Sequence, residues 1–213
     1  QGLLKDVDEV KILTAAGLAH ARNIHPDTGA VQVCVPDPAD LKRDIELELD
    51  DRRWLLDTVV AGVPHAVTWV TGLEQLDVPE FGRIIRHHPT FSPRGMNVNF
   101  CEILEEGHVA VRTFEFGVES ETLACGTGSA ASAILTALRY GWPEAYTDGT
   151  QAVRVDVRGG ETLLVWFSVQ EHGEKFTNVC LQTRVQEVYE ATMTPDFLDR
   201  ALAGKGDQIA QPL

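Results

Sequence analysis

Cys125-Gly-Thr-Gly-Ser-Ala-Ala-Ser-Ala-Ile-Leu-Thr-Ala-Leu-Arg-Tyr140 is the stretch on which the fold turns. From about Ser129 to Tyr140 it has helical character and is apolar on nearly every side, with Ala130, Ala131, Ala133, Ile134, Leu135, Ala137 and Leu138. A helix without a polar face is a buried helix. The alanines suit close approach by surrounding strands. Gly141 is a natural residue just past a helix end, and Pro143 stops any continuation. At the other end, Glu121-Thr-Leu-Ala-Cys-Gly-Thr-Gly128 puts a cysteine at the junction. The first N–H groups of a helix lack intrahelical acceptors and carry the positive end of its dipole, so a thiol there is expected to ionise readily. Gly126, Thr127 and Gly128 let a ligand approach the backbone, and their N–H groups can hold a carboxylate. A base beside an anion cradle is what removal of a proton alpha to a carboxylate requires. The competing reading is an inert buried cysteine, since free Cys is among the most buried residue types.

Working outward, most of the chain reads as strands. Val10–Thr14, Val31–Val35, Ile45–Leu49, Leu55–Val60 and Ala66–Val70 precede the helix, and Val153–Val157, Leu163–Val169 and Asn178–Leu181 follow it. Asn97–Ile103 and Val109–Glu115 pair as a hairpin across Glu106-Gly107. Ala15-Ala-Gly17 reads as a turn, and Glu74–His88 has roughly helical spacing with Pro79 near its start. His87 and His88 read as a solvated helix end. Many strands and one buried helix imply an α+β fold in which a mixed sheet wraps that helix.

Composition narrows the function. Eighteen basic against 32 acidic residues give a net charge of −14 in 213 residues. That opposes a nucleic-acid partner, which needs a basic face, and opposes an anionic membrane surface. No apolar run approaches membrane-spanning length. The cysteines at 34, 101, 125 and 180 form no C-x-x-C pair and have no histidine cluster, so no metal site is expected. They do not read as a disulfide framework. Cys34, Cys101 and Cys180 lie in strand patterns and are expected as packed core residues, and a reducing cytoplasm suits a working thiol.

Three segments together resemble the diaminopimelate epimerase family: Gly62-Val-Pro-His65, Arg94-Gly-Met-Asn-Val-Asn-Phe100, and Arg112-Thr-Phe-Glu-Phe-Gly-Val-Glu-Ser-Glu-Thr-Leu-Ala-Cys-Gly-Thr-Gly128. The resemblance runs from about Val10 to Glu190. It implies two similar lobes, each a sheet curled into a barrel round a central helix, with the site between them. It implies an isomerase that uses neither pyridoxal nor metal, acts on a small amino acid, and is compatible with a homodimer. One cysteine thiolate removes the alpha proton and a second thiol, from the other lobe, protonates the opposite face. By resemblance Cys125 is one of those two. Gly126 and Thr127 supply backbone donors to the reacting carboxylate. Glu115 assists through the substrate amino group, Asn97 holds the far end of the substrate, and His65 supports activity beside the site. Taken without the resemblance, Asn97 reads first as a turn or cap residue, Glu115 as a solvated carboxylate, and His65 as a packed turn histidine.

Two departures bear on substrate. Phe116 stands where the family usually has an arginine for the far carboxylate, and Val63 stands where many members have asparagine. A phenyl ring supplies no charge-assisted bond. A third departure is the absence of the family's first cysteine, in a Cys-Gly-Asn-Gly run. The expectation is therefore a chain whose front portion lies elsewhere. Residues 1–48 would be the remainder of a first lobe, 49–184 a complete second lobe, and 185–213 a strand returning to the first lobe, near Val185–Met193, plus a tail. The leading reading is conversion of LL-diaminopimelate to the meso form, for lysine and peptidoglycan synthesis. Racemisation of another amino acid and a non-catalytic amino-acid- or partner-binding domain are the alternatives.

Overall fold

The computed structural model describes residues 9–14, 17–25, 27–49, 52–170, 173, 175–185, 188–197 and 199. In chain order the elements are β1 (Glu9–Thr14), β2 (Gly17–His25), β3 (Ala30–Cys34), β4 (Ala39–Leu49), β5 (Arg52–Ala61), β6 (Val63–Trp69), α1 (Val78–Arg86), β7 (Asn97–Glu105), β8 (His108–Glu115), β9 (Ser120–Thr122), α2 (Gly126–Tyr140), β10 (Val153–Val157), β11 (Thr162–Gln170) and β12 (Lys175–Arg184). The strands form one sheet in the order β1-β2-β3-β12-β11-β10-β8-β7-β6-β5-β4, with β9 paired to β8 off this path. β6–β7 and β8–β10 are parallel, and the other neighbours are antiparallel. Parallel neighbours need a long crossover. One crossover carries α1 and the other carries α2.

α2 is the centre. It packs against β5, β6, β7, β8, β10, β11 and β12. Every residue from Gly128 to Ala137 is buried. Val59, Val67, Val109, Val111, Val155, Val165, Phe167, Phe176 and Val179 close around it from successive strands. A second core lies on β4–β8, where Leu56, Ala66, Val98, Phe100 and Phe114 cluster with Val78 and Ile85 of α1. Asp77 caps α1 by accepting the Glu80 N–H at 2.9 Å.

Several expectations are corrected. The sheet does not close into a barrel: β1 and β4 are its two ends. Its curl follows one helix, and among the described residues no pairing joins the end strands. β2 adds a strand that the sequence reading missed, and β12 itself, longer than expected, provides the pairing to β3. Val185 adds one bond to the Gly29 carbonyl at 2.7 Å, whereas residues 188–193 join no strand. Cys34 and Cys180 are not separate core thiols: they face each other across β3 and β12 and form a disulfide. Ala15 and Ala16 of the expected turn, Gln1–Asp8, and most of the tail lie outside the described residues. Among the described residues no helix is long and apolar enough to cross a membrane.

Candidate active site

Cys125 is the N-cap residue of α2, in extended conformation (φ −127°, ψ 107°), and its side chain caps nothing. Its carbonyl accepts the Ser129 N–H at 2.8 Å and so starts the helix, leaving the sulfur turned toward the first turn. The Gly128 N–H is near enough to that sulfur to favour its thiolate without closing a capping bond. Thr127 Oγ1 lies 3.7 Å from it. A Cβ on Gly128 would sit 2.3 Å from Asn99 Oδ1 and 3.2 Å from Cys125 Sγ, so only glycine lets the helix start this close to β7.

Behind Thr127 runs a buried polar chain. His65 Nε2 is 3.0 Å from Thr127 Oγ1, and His65 Nδ1 is 3.2 Å from Asn99 Nδ2. The Asn99 amide also donates to the Ala66 carbonyl, and its Oδ1 accepts from the Thr113 hydroxyl at 2.9 Å. These bonds fix the tautomer. Asn99 donates to Nδ1, so the His65 proton sits on Nε2 and goes to Thr127, whose own hydroxyl proton is left for the cysteine sulfur. His65 is fully buried, and desolvation lowers its pKa to about 4. It is a neutral donor at pH 7. It belongs to β6 and to the wall of the site, and the turn before it is Gly62 alone.

Glu115 ends β8. Its Oε1 accepts the Thr122 hydroxyl at 2.6 Å, which fastens β9 to β8 just ahead of the cysteine. This carboxylate is near enough to the Cys125 thiol to raise its pKa. Phe116 follows, its N–H donating to Asn97 Oδ1 at 2.7 Å. Arg112 anchors the same segment from beneath. Its guanidinium grips Glu121 with two bonds of 2.7 Å and donates to the Leu73 and Leu76 carbonyls.

Cys125, Thr127, His65 and Glu115 are thus gathered at one helix end, with Asn97 and Phe116 joined to the far side of Glu115. One expectation reverses. Burial is the largest influence on the Cys125 thiol and pushes its pKa up. The Gly128 N–H opposes this, the Glu115 charge adds to it, and Thr127 opposes it again, without restoring the ordinary value. Cys125 therefore rests as a thiol. Asn99, Thr113 and Thr122 were missed because a lone polar residue in a strand pattern carries no signal until its neighbours across the sheet are known. On the segment between β8 and α2, Phe116, Val118 and Leu123 are 36 %, 56 % and 70 % exposed.

Comparison with known proteins agrees with this geometry. The family model described as diaminopimelate epimerase matches residues 58–179. Diaminopimelate epimerase of Aquifex aeolicus is 35 % identical over 192 residues, covering 90 % of this chain and 64 % of the relative. That of Chlorobaculum tepidum is 42 % identical over 141 residues, covering 66 % of this chain and 51 % of the relative. The chain thus spans about half to two-thirds of the length of these relatives. Among solved structures, a probable proline racemase from Agrobacterium radiobacter aligns with a TM-score of 0.65 at 19 % identity, over 85 % of this chain and 59 % of that one. A hydroxyproline epimerase from Agrobacterium vitis aligns at 0.64 with 18 % identity, over 85 % and 58 %. At these identities the likeness concerns the fold alone. With the family model covering more than half of its residues, the chain belongs to the diaminopimelate epimerase family.

Proposed function

We propose that the protein containing this chain is a diaminopimelate epimerase, exchanging LL- and meso-diaminopimelate by two-base proton transfer at cysteine, without pyridoxal or metal. The observation that carries the reading is the setting of Cys125: a sulfur at the start of α2, 3.7 Å from the Thr127 hydroxyl and near enough to Glu115 for that carboxylate to raise its pKa. In this reading the substrate carboxylate lies against the Gly126 and Thr127 N–H groups. Negative charge spreading onto it as the alpha proton leaves meets donors already in place, and one such donor is worth about 3 kcal/mol. The substrate ammonium faces Glu115, which offsets the charge that holds the thiol protonated. Cys125 becomes the base in one direction and the acid in the other. His65 keeps Thr127 oriented through its Nε2–H and takes no part in the proton transfer. A second acid/base works the opposite face and comes from outside the matched segment. Residues 1–48 then belong with a first lobe and 49–184 with a second. The reading also places the enzyme in the cytoplasm, with lysine and peptidoglycan synthesis as its use.

Proton NMR in D2O of LL-diaminopimelate with the complete protein tests this. The alpha-proton signal is expected to disappear, and Cys125→Ala to leave it intact. Exchange at a near-normal rate by that variant would overturn the assignment. A second reading, racemisation of another amino acid, is favoured by Phe116 and Val63, whose side chains offer no polar group to a far carboxylate. A panel of L-amino acids in the same measurement separates the two.

A further inference from the structure

The turn after β8 brings together groups that the chemistry at Cys125 does not use. Two guanidinium groups face the Phe116 ring, Arg86 at 4.5 Å and Arg94 at 5.8 Å from its centroid. They are not equivalent. Arg86 is buried, and its charge is matched: Nε donates to Glu119 Oε1 at 2.8 Å and Nη1 to the Arg94 carbonyl at 3.1 Å. Glu119 completes that cluster by accepting from His87 Nε2 and the Gly117 N–H, each at 3.1 Å. Arg94 is exposed. Among the described residues its guanidinium has no carboxylate or other acceptor, and the Phe116 ring is its recorded contact.

The backbone that carries this cation is nonetheless fixed. Arg86 holds the Arg94 carbonyl, and the next N–H, of Gly95, donates to the Phe91 carbonyl at 2.8 Å. Gly95 has φ +73°, and a Cβ there would lie 1.8 Å from Arg86 Nη1, so the segment is built over that guanidinium. Two residues further on, Asn97 accepts the Phe116 N–H through Oδ1. This orients its amide and leaves both Nδ2 protons without an acceptor among the described residues.

We infer that Arg94, steadied on the Phe116 ring and assisted by Asn97 Nδ2, recognises the second carboxylate of a dicarboxylic substrate. A guanidinium presents a planar fork that matches a carboxylate, and an aromatic face holds it in place without neutralising it. Phe116 supplies no charge and positions the residue that does. The inference rests on the proposed reading of the Cys125 site and deepens it. It also makes the second, monocarboxylic reading the less favoured one.

The test compares LL-diaminopimelate with L-lysine, which keeps the reacting centre and the far amine and lacks only the second carboxylate. Alpha-proton exchange is measured with the complete protein and with Arg94→Gln and Arg94→Lys. Arg94→Gln is expected to raise KM for diaminopimelate about ten- to a hundredfold with kcat little altered. Its exchange of L-lysine should shift less than about twofold, so the preference between the two substrates collapses. Arg94→Lys should recover part of it. Circular dichroism and melting confirm that the variants fold. An unchanged KM for diaminopimelate, or an equal loss with both substrates, overturns the inference while leaving the Cys125 reading in place. Wild-type protein inert toward diaminopimelate brings down that reading and the inference with it.

Discussion

At Cys125 two effects compete over one sulfur. The helix start offers it an N–H and a positive dipole end, which favour the thiolate, while burial and the neighbouring Glu115 favour the thiol and prevail. Since kcat/KM reports the free enzyme, it should climb with pH through the ordinary thiol value of 9.0, with no plateau below it. Glu115→Gln should move that limb to lower pH even as it slows the reaction. A plateau near neutrality in the unsubstituted enzyme would show a thiolate at rest. His65 yields a separate prediction, about stability. Its pKa is lowered from 6.5 to about 4 by burial, so between these values the unfolded chain binds the proton and the folded one does not. The contribution is complete above pH 6.5 and is lost as pH falls toward 4, by about 3 kcal/mol in all. Urea melts of wild type and His65→Phe at pH 7 and pH 4.5 measure it, and the variant should show the shallower pH dependence. Cys125, Asn97 and Glu115 were legible as candidates through the resemblance carried by two separate runs, Arg94–Phe100 and Arg112–Gly128. Asn99 and Thr113 were not, because their partners come from three different elements.

Among the elements, α2 was the most legible, since a helix of alanine, isoleucine and leucine without a polar face has one place to go. β2 was obscure. Gly17-Leu-Ala-His-Ala-Arg-Asn-Ile-His25 is poor in strand formers, and it is held by pairing to β1 and β3 rather than by its own propensity. β4 was legible only from Ile45 onward. Before that, Asp40 and Asp44 adopt positive φ and the register against β5 slips, which breaks the alternation that a reader looks for. The three-residue β9 is too short to leave any pattern, and an ion pair secures it instead. The side chains of Arg112 and Glu121 are 9 % and 13 % exposed, and the guanidinium also satisfies carbonyls of the turn ahead of α1. Removing one partner of so enclosed a pair strands the other, so Arg112→Leu should destabilise the protein by about 3–5 kcal/mol. Arg112→Leu with Glu121→Leu should be less destabilised than Arg112→Leu alone, because no buried charge is left unmatched. Denaturant melts of the two variants decide this, and a double variant weaker than the single one would deny the pair its role.

For the molecule as a whole, what the sequence could not convey is which distant strands meet. The wrapped sheet followed from its many strands and single buried helix, but its open ends did not, since closure depends on the order of strands and not on their number. The disulfide makes the same point. Cys34 and Cys180 are 146 residues apart, and each taken alone is an ordinary strand cysteine. They become partners only because β12 lies against β3 in the register that sets one opposite the other. Cys180 is buried, the Arg22 guanidinium donates to its sulfur at 3.2 Å, and the next residue, Leu181, packs toward Gly126 at the start of α2. The bond thus fastens the strand that supports the N-terminal end of α2 to the edge formed by β1–β3. Closing so long a loop restricts the unfolded chain and should stabilise the fold by about 2–4 kcal/mol. Under denaturing conditions without reductant, Ellman titration should find two thiols, Cys101 and Cys125, rising to four after reduction. In the folded protein Cys101 should be silent, since it is fully buried and burial has pushed its pKa up to about 12. Cys34→Ser with Cys180→Ser should lower the melting temperature and remove its dependence on reductant. Four thiols from the unreduced, unsubstituted chain would mean that β3 and β12 are held by their hydrogen bonds alone.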